Sequence, residues 1–158
     1  MTSVIAVREA TVEDLGALRE VYRDASLSNA GDRDALLAHP DVLLWVDDNL
    51  RAGRTRVATD EAGTVLGFAT TRPTPIGLEL EDLFVRPQHM RRGVASLLVA
   101  DAVETARREG HASIDVTGSP HAAAFYASVG FVRIGDEQTL FGPAPRLRLT
   151  VPHPQGSM

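Results

Sequence analysis

The 158-residue chain contains no cysteine. That excludes disulfides, thiolate nucleophiles and zinc sites built on sulfur, and it fits a reducing compartment. Histidine is sparse: residues 39, 89, 111, 121 and 153 are scattered, and no two have the spacing of paired ligands on one helical face. No metal site is expected. Positive charge is also short, and a net charge of −5 argues against wholesale binding to nucleic acid or an anionic membrane. Apolar runs are brief; Val42–Val46 is far too short to span a bilayer. The N-terminus has no charged region followed by an apolar one, so a cytoplasmic location is expected rather than secretion. Glycine is scarce where nucleotide loops need it. One glycine lies in 88–100, so neither GxGxxG nor GxxxxGK[ST] is present.

What is there suits one globular domain. Apolar residues at 44% and charged residues at 23% allow a sizeable core, expected over 1–151, with a disordered tail at 152–158. Val4–Val7 reads as a first strand. Thr11 reads as a helix N-cap with Asp14 closing a capping box, and Val12, Leu15, Leu18 and Tyr22 keep helical spacing to about residue 25. One or two short helices follow in 36–50, broken near His39-Pro40 and stopped at Gly53. Arg54–Thr59 and Thr64–Thr71 flank a turn at 60–63, a hairpin signal. Pro73 and Pro75 interrupt the chain before a strand at 78–85. A helix after Gly93 should run to Gly110, with Val94, Leu97, Leu98 and Ala102 on its apolar side. Ser113–Thr117 reads as a strand, and Ser119-Pro120 as the cap and first residue of a helix ending at Gly130. Phe131–Ile134 and Arg146–Val151 complete the strands. This order indicates a mixed α/β or α+β sheet with helices on its faces.

The stretch Leu80–Ala102 carries the clearest chemistry. A strand leads through a short basic loop and Gly93 into an amphipathic helix. Such a helix start offers backbone N–H groups and a favourable dipole to an anion. Gly93 lets a ligand approach the backbone, Ala95 and Ser96 are small, and Arg91 and Arg92 add positive charge.

The segment VRPQHMRRGVASLL resembles the acyl-CoA pyrophosphate loop of the GNAT superfamily of N-acetyltransferases, Gln/Arg-x-x-Gly-x-Gly/Ala. Gly93 and Ala95 fill its two small positions, while Met90 stands where Gln or Arg is usual. A second segment, Ala122–Phe131, resembles the family signature Ala-x-x-x-Tyr-x-x-x-Gly-Phe, with Tyr126, Gly130 and Phe131 in place. Ser119 stands where Asn is common. Both motifs have the family's order and separation.

The resemblance implies a single GNAT-like domain: a mixed, mostly antiparallel sheet with a central pair of parallel strands that splay apart around acetyl-CoA, and helices on both faces. It implies cofactor contacts from Leu83, Phe84 and Val85, from Arg91, Arg92, Gly93, Val94, Ala95 and Ser96, and from Ser119, Ala122 and Tyr126. The Val85 N–H would donate to the thioester carbonyl, where negative charge develops during attack. Tyr126 would protonate the departing thiolate as general acid. The base would be Glu81 or Glu79, which strand alternation places on one face with Leu83 and Val85, away from Leu80, Asp82 and Phe84. The activity implied is transfer of an acetyl group to a primary amine of a small molecule or peptide, by direct attack in a ternary complex. The acidic set Glu79, Glu81 and Asp82 favours a basic amine. A homodimer is allowed. The alternative is a catalytically silent acyl-CoA-binding module of the same fold.

Overall fold

The structure, a computed structural model, describes residues 4–28, 37–38, 45, 47–90, 92–119, 122–139 and 142–152. In chain order the elements are β1 (Ala6–Glu9), α1 (Leu15–Leu27), α2 (Asp48–Arg51), β2 (Thr55–Thr59), β3 (Val65–Thr74) and β4 (Gly77–Val85). Then come α3 (Val94–Arg108), β5 (Ser113–Thr117), α4 (Ala123–Ser128), β6 (Val132–Thr139) and β7 (Gly142–Thr150). The strands form a seven-stranded sheet in the order β1-β2-β3-β4-β5-β7-β6. It is antiparallel except for β4 and β5, which run parallel with Leu78 beside Ile114 and Glu79 beside Asp115. The expected mixed sheet with one parallel pair is therefore found.

By compactness the chain divides into two units. The first takes the residues up to Thr70 together with Asp82–Leu98. Its core gathers Leu18, Val21, Trp45, Leu50, Val57, Val65 and Phe68. Burying each of these large side chains contributes roughly 1.5–3 kcal/mol. Rings carry part of the packing: Trp45 meets Phe68 edge-on at 5.2 Å, and Tyr22 meets Phe84 at 4.9 Å. The turn between β2 and β3 closes as the sequence predicts, with Gly63 at φ +85° and its N–H on Asp60 O.

α1 starts on a 3₁₀ turn, Val12–Asp14, and the Asp14 carboxylate accepts the Thr11 N–H at 2.8 Å. Arg8 grips the same carboxylate through both terminal nitrogens, at 2.8 and 2.9 Å. That grip, aided by the Thr11 N–H, holds the Asp14 carboxyl below its ordinary value against the cost of burial. Asp14→Ala is expected to cost about 1–2 kcal/mol in urea unfolding at neutral pH. The folded-state pKa is depressed, so this contribution is present above the unfolded carboxylate value. It should disappear as pH falls through the lower folded value. A difference between parent and variant that persists in strong acid would refute the assignment.

The second unit takes Thr71–Glu81 and the chain from Val99 onward. β5 is buried at Ser113, Ile114, Asp115 and Val116, and Leu147 and Ala144 of β7 are buried as well. Tyr126 packs edge-on against Phe125 and Phe131, with ring centres at 5.4 and 5.2 Å.

Several boundaries differ from expectation. β1 lies two residues later than Val4–Val7, because pairing with β2 sets its limits: Ala6 opposes Thr59 and Glu9 opposes Arg56. Pro73 does not end β3, which runs to Thr74; proline is tolerated near a strand end. β7 starts at Gly142, four residues before Arg146, since β6 pairs with its whole early half. Leu97 is exposed; the buried side of α3 is Val94, Leu98, Val99, Ala102 and Ala106. Ser119 is not the cap of a helix from 120. α4 begins at Ala123 with Ala122 as its N-cap, and Ser119 O accepts the Ala122 N–H. The expected tail falls largely on residues 153–158, outside the described ones, as do Pro120 and His121.

Candidate functional site

In the first unit, the end of β4 is anchored before the basic loop begins. The Arg86 N–H bonds to Leu66 O at 2.8 Å and its Nε to Val65 O at 2.7 Å, while its guanidinium pairs with Glu20. Gly67 sits against this strand end. A Cβ there would lie 2.6 Å from Phe84 O and 3.2 Å from the Val85 Cα, so only glycine lets β3 approach so closely. Val85 is buried, and Leu83 and Phe84 are half-buried.

After Arg86 a 3₁₀ turn, Pro87–His89, leads to Met90, which is exposed, and on to Gly93 at φ +82°. The Leu97 N–H bonds to Gly93 O at 3.0 Å, so the N–H groups of Val94, Ala95 and Ser96 precede the first helical bond of α3. Arg92, Gly93 and Ser96 are exposed, Ala95 is half-buried and Val94 is buried. Among the described residues nothing lies within 4 Å of where a Gly93 Cβ would project. The start of such a helix carries partial positive charge, which attracts an anion. Arg91 lies outside the described residues.

Asp82, on the same unit, accepts the Trp45 indole N–H at 2.9 Å. Its charge adds to burial in raising the Tyr22 hydroxyl above its ordinary value. Trp45 thus serves core and carboxylate together, a link between residues 37 apart that no local pattern could announce.

In the second unit the two glutamates of β4 have different partners. Glu79 is held by both terminal nitrogens of Arg146, at 2.6 and 2.9 Å. Glu81 pairs with Arg72. Beside Glu79, the buried Asp115 takes a forked pair from Arg148 at 2.8 and 2.9 Å, and Arg146 stands 3.8 Å away. Arg146 also donates to Thr117 Oγ1. Arg146 and Arg148 had no sequence signal beyond alternation in the last strand. The protein has no lysine and sixteen arginines, so each of these pairs uses a guanidinium.

Tyr126 is buried in its aromatic cluster, and a Cβ at Gly118 would come within 3.3 Å of its ring. Burial pushes its hydroxyl up to about 12. No buried polar side-chain atom lacks a partner among the described residues. At neutral pH the group is a phenol, able to donate a proton. Its folded value lies above the ordinary 10, so the neutral phenol favours the folded state fully below pH about 10, and that stability is lost as pH rises to about 12. Alkaline unfolding should therefore be steeper in the parent than in Tyr126→Phe; identical curves would exclude Tyr126 as its source. Ser119 is exposed and Ala122 half-buried, both just ahead of α4.

Among the described residues no group of three His, Cys, Asp or Glu side chains is arranged to hold a metal ion. No helix there is long and apolar enough to cross a membrane.

A family model described as "Acetyltransferase (GNAT) domain" matches residues 47–142. A search of curated protein sequences gives no match. Solved structures match the fold over nearly the whole chain. A GCN5-related N-acetyltransferase from Rhodopseudomonas palustris superposes with a TM-score of 0.75 at 20% identity, covering 95% of this chain and 98% of that one. The PaiA N-acetyltransferase from Thermoplasma acidophilum, in complex with coenzyme A, gives 0.70 at 16% identity, covering 93% and 99%. The Salmonella typhimurium protein yncA, solved with its cofactor acetyl-CoA, gives 0.69 at 23% identity, covering 99% of each chain. The model match spans both the Gly93 loop and the Tyr126 segment, the two places where the residues alone carry a resemblance. The chain belongs to the GNAT family of acetyltransferases.

Proposed function

We propose that the protein is an acetyl-CoA-dependent N-acetyltransferase acting on a primary amine of a small molecule or peptide in the cytoplasm. The observation that carries this reading is the Gly93 loop, at positive φ and leading straight into the first turn of α3, within the matched family region. In this reading Gly93, Val94, Ala95 and Ser96 cradle the pyrophosphate through the backbone, with Arg91 and Arg92 adding charge. The backbone of Leu83, Phe84 and Val85 takes the pantetheine, and the Val85 N–H faces the thioester oxygen. Ser119, Ala122 and Tyr126 complete the contacts. Tyr126 gives its proton to the departing sulfur. Glu81 or Glu79 receives the amine proton, directly or through water.

A second reading, a non-catalytic acyl-CoA-binding module, is supported by two specific facts. Both glutamates are engaged by arginines, and Met90 replaces a polar residue of the loop.

Calorimetry with coenzyme A followed by thiol release against a set of amines separates the two. Because the chain has no lysine, its own side chains supply no acceptor amine, and background release stays low. Absence of coenzyme A binding would sink both readings; binding without release on any amine would favour the module. Gly93→Glu should weaken coenzyme A binding about tenfold or more, by adding a carboxylate and strain at positive φ. Unaltered affinity would remove the loop from the cofactor site.

A further inference from the structure

Arg72, near the end of β3, and Glu81 of β4 lie on neighbouring strands within the second unit. Arg72 gives its Nε to one Glu81 oxygen. Arg146 and Arg148, by contrast, clasp their carboxylates with two nitrogens each. The Arg72 side chain is half exposed, and the charge of Glu79 acts on it as well. It is a cation resting loosely in the field of both glutamates. An exposed pair of this kind is worth about 0.2–1 kcal/mol.

An acceptor amine would meet the same carboxylates. An alkyl amine of pKa about 10.4 arrives as an ammonium, with the same charge as Arg72. A guanidinium differs in one respect: it keeps its proton, so it is no nucleophile toward a thioester. The chain has sixteen arginines and no lysine, so no side chain of its own offers an ammonium that could lose its proton and react. Arg72 fills a cation's place at Glu81 without being consumed there.

We propose that Arg72 is a specificity-determining residue: its guanidinium stands where the acceptor's ammonium binds, and the acceptor must displace it from Glu81. The inference rests on the reading of Glu81 as the base, and it sharpens the acceptor to a cationic primary amine. Displacement exchanges one cation for another at a single carboxylate, so the charge of the cluster is unchanged. A tethered competitor raises the concentration at which a free cation binds. An amine that is uncharged on arrival escapes this competition.

Steady-state kinetics of the full chain, on an alkylammonium and on an aromatic amine that is uncharged at neutral pH, measure the competition. Arg72→Met should lower KM for the alkylammonium about two- to fivefold and leave KM for the aromatic amine unaltered. Arg72→Lys tests the position itself. With acetyl-CoA alone, the introduced amine should become acetylated. Its nitrogen bonds to the acetyl carbonyl carbon, the carbon–sulfur bond breaks, Glu81 takes the amine proton and Tyr126 gives one to the thiolate. Peptide mapping by mass spectrometry locates the added acetyl group. Arg51→Lys, at an exposed site on α2, should stay unmodified. Adding Glu81→Gln to Arg72→Lys should slow the modification about tenfold or more. Suppose the parent releases thiol with free amines. Then an unaltered KM in Arg72→Met, an unmodified Arg72→Lys, or equal modification of Arg51→Lys would each overturn this inference and leave the acetyltransferase reading standing. No thiol release with any amine would overturn both.

Discussion

Tyr126→Phe is expected to lower kcat by about 10²–10⁴-fold, the range that a positioned proton donor supplies. Coenzyme A affinity and thermal stability should change little. The ring is fixed by Phe125 and Phe131, and phenylalanine keeps that packing while removing one oxygen. The substitution therefore separates chemistry from structure. A residue that merely fills the core would leave kcat unaltered; a residue that merely binds cofactor would raise KM for acetyl-CoA with kcat preserved. Burial, which pushes the phenol up to about 12, keeps it protonated throughout the range in which an enzyme of this kind would work. Steady-state kinetics, calorimetry with coenzyme A and a thermal melt of the same preparation make the distinction. Retained turnover removes Tyr126 from the acid role.

Arg146→Met should have the largest effect on stability, about 2–4 kcal/mol. Glu79 and Asp115 stand directly opposite each other in the parallel ladder, an arrangement of like charges that costs stability unless compensated. Arg146 compensates it, with two nitrogens on Glu79 and a third contact 3.8 Å from Asp115. Its side chain is 21% exposed and that of Glu79 is 16% exposed, so water replaces the lost pair poorly. Asp115 keeps Arg148, which limits the damage. The melting temperature should fall by roughly 2–4 °C for each kcal/mol lost. Arg146→Lys should recover part of this, since one ammonium cannot hold both carboxylate oxygens in a fork. A melt unchanged in Arg146→Met would show that the network is ornamental to the fold.

The same network bears on the base. Glu79 and Glu81 were placed together by strand alternation, and they do lie two apart on β4. Their surroundings separate them: Glu79 is clasped by Arg146, whereas Glu81 meets Arg72, a more exposed partner at 51%. An exposed pair is loosely held and readily exchanged for substrate or water. Within the proposed mechanism, Glu81 is thus the candidate base with the more exposed arginine partner. Comparing the pH profiles of kcat/KM for Glu81→Gln and Glu79→Gln would assign the role.

Much of the molecule was legible from local signals because those signals act locally. The Asp14 cap, the turn at Asp60–Gly63 and the Gly93 and Gly110 helix limits each depend on residues within one turn of chain. The order of strands and helices follows from the same short-range chemistry. Pairings between distant segments needed the folded chain. Glu79 meets Arg146 across 67 residues because β4, β5 and β7 stand in one register, and no spacing along the chain encodes that. Trp45 reaches Asp82 across 37 residues through the packing of the first unit. Leu97 satisfies helical periodicity yet faces outward, since periodicity defines a face while the surrounding elements decide which face is covered. Caps and turns were thus written in short words, while the pairing of Glu79 and Asp115 with the arginines of β7 was fixed by the alignment of strands.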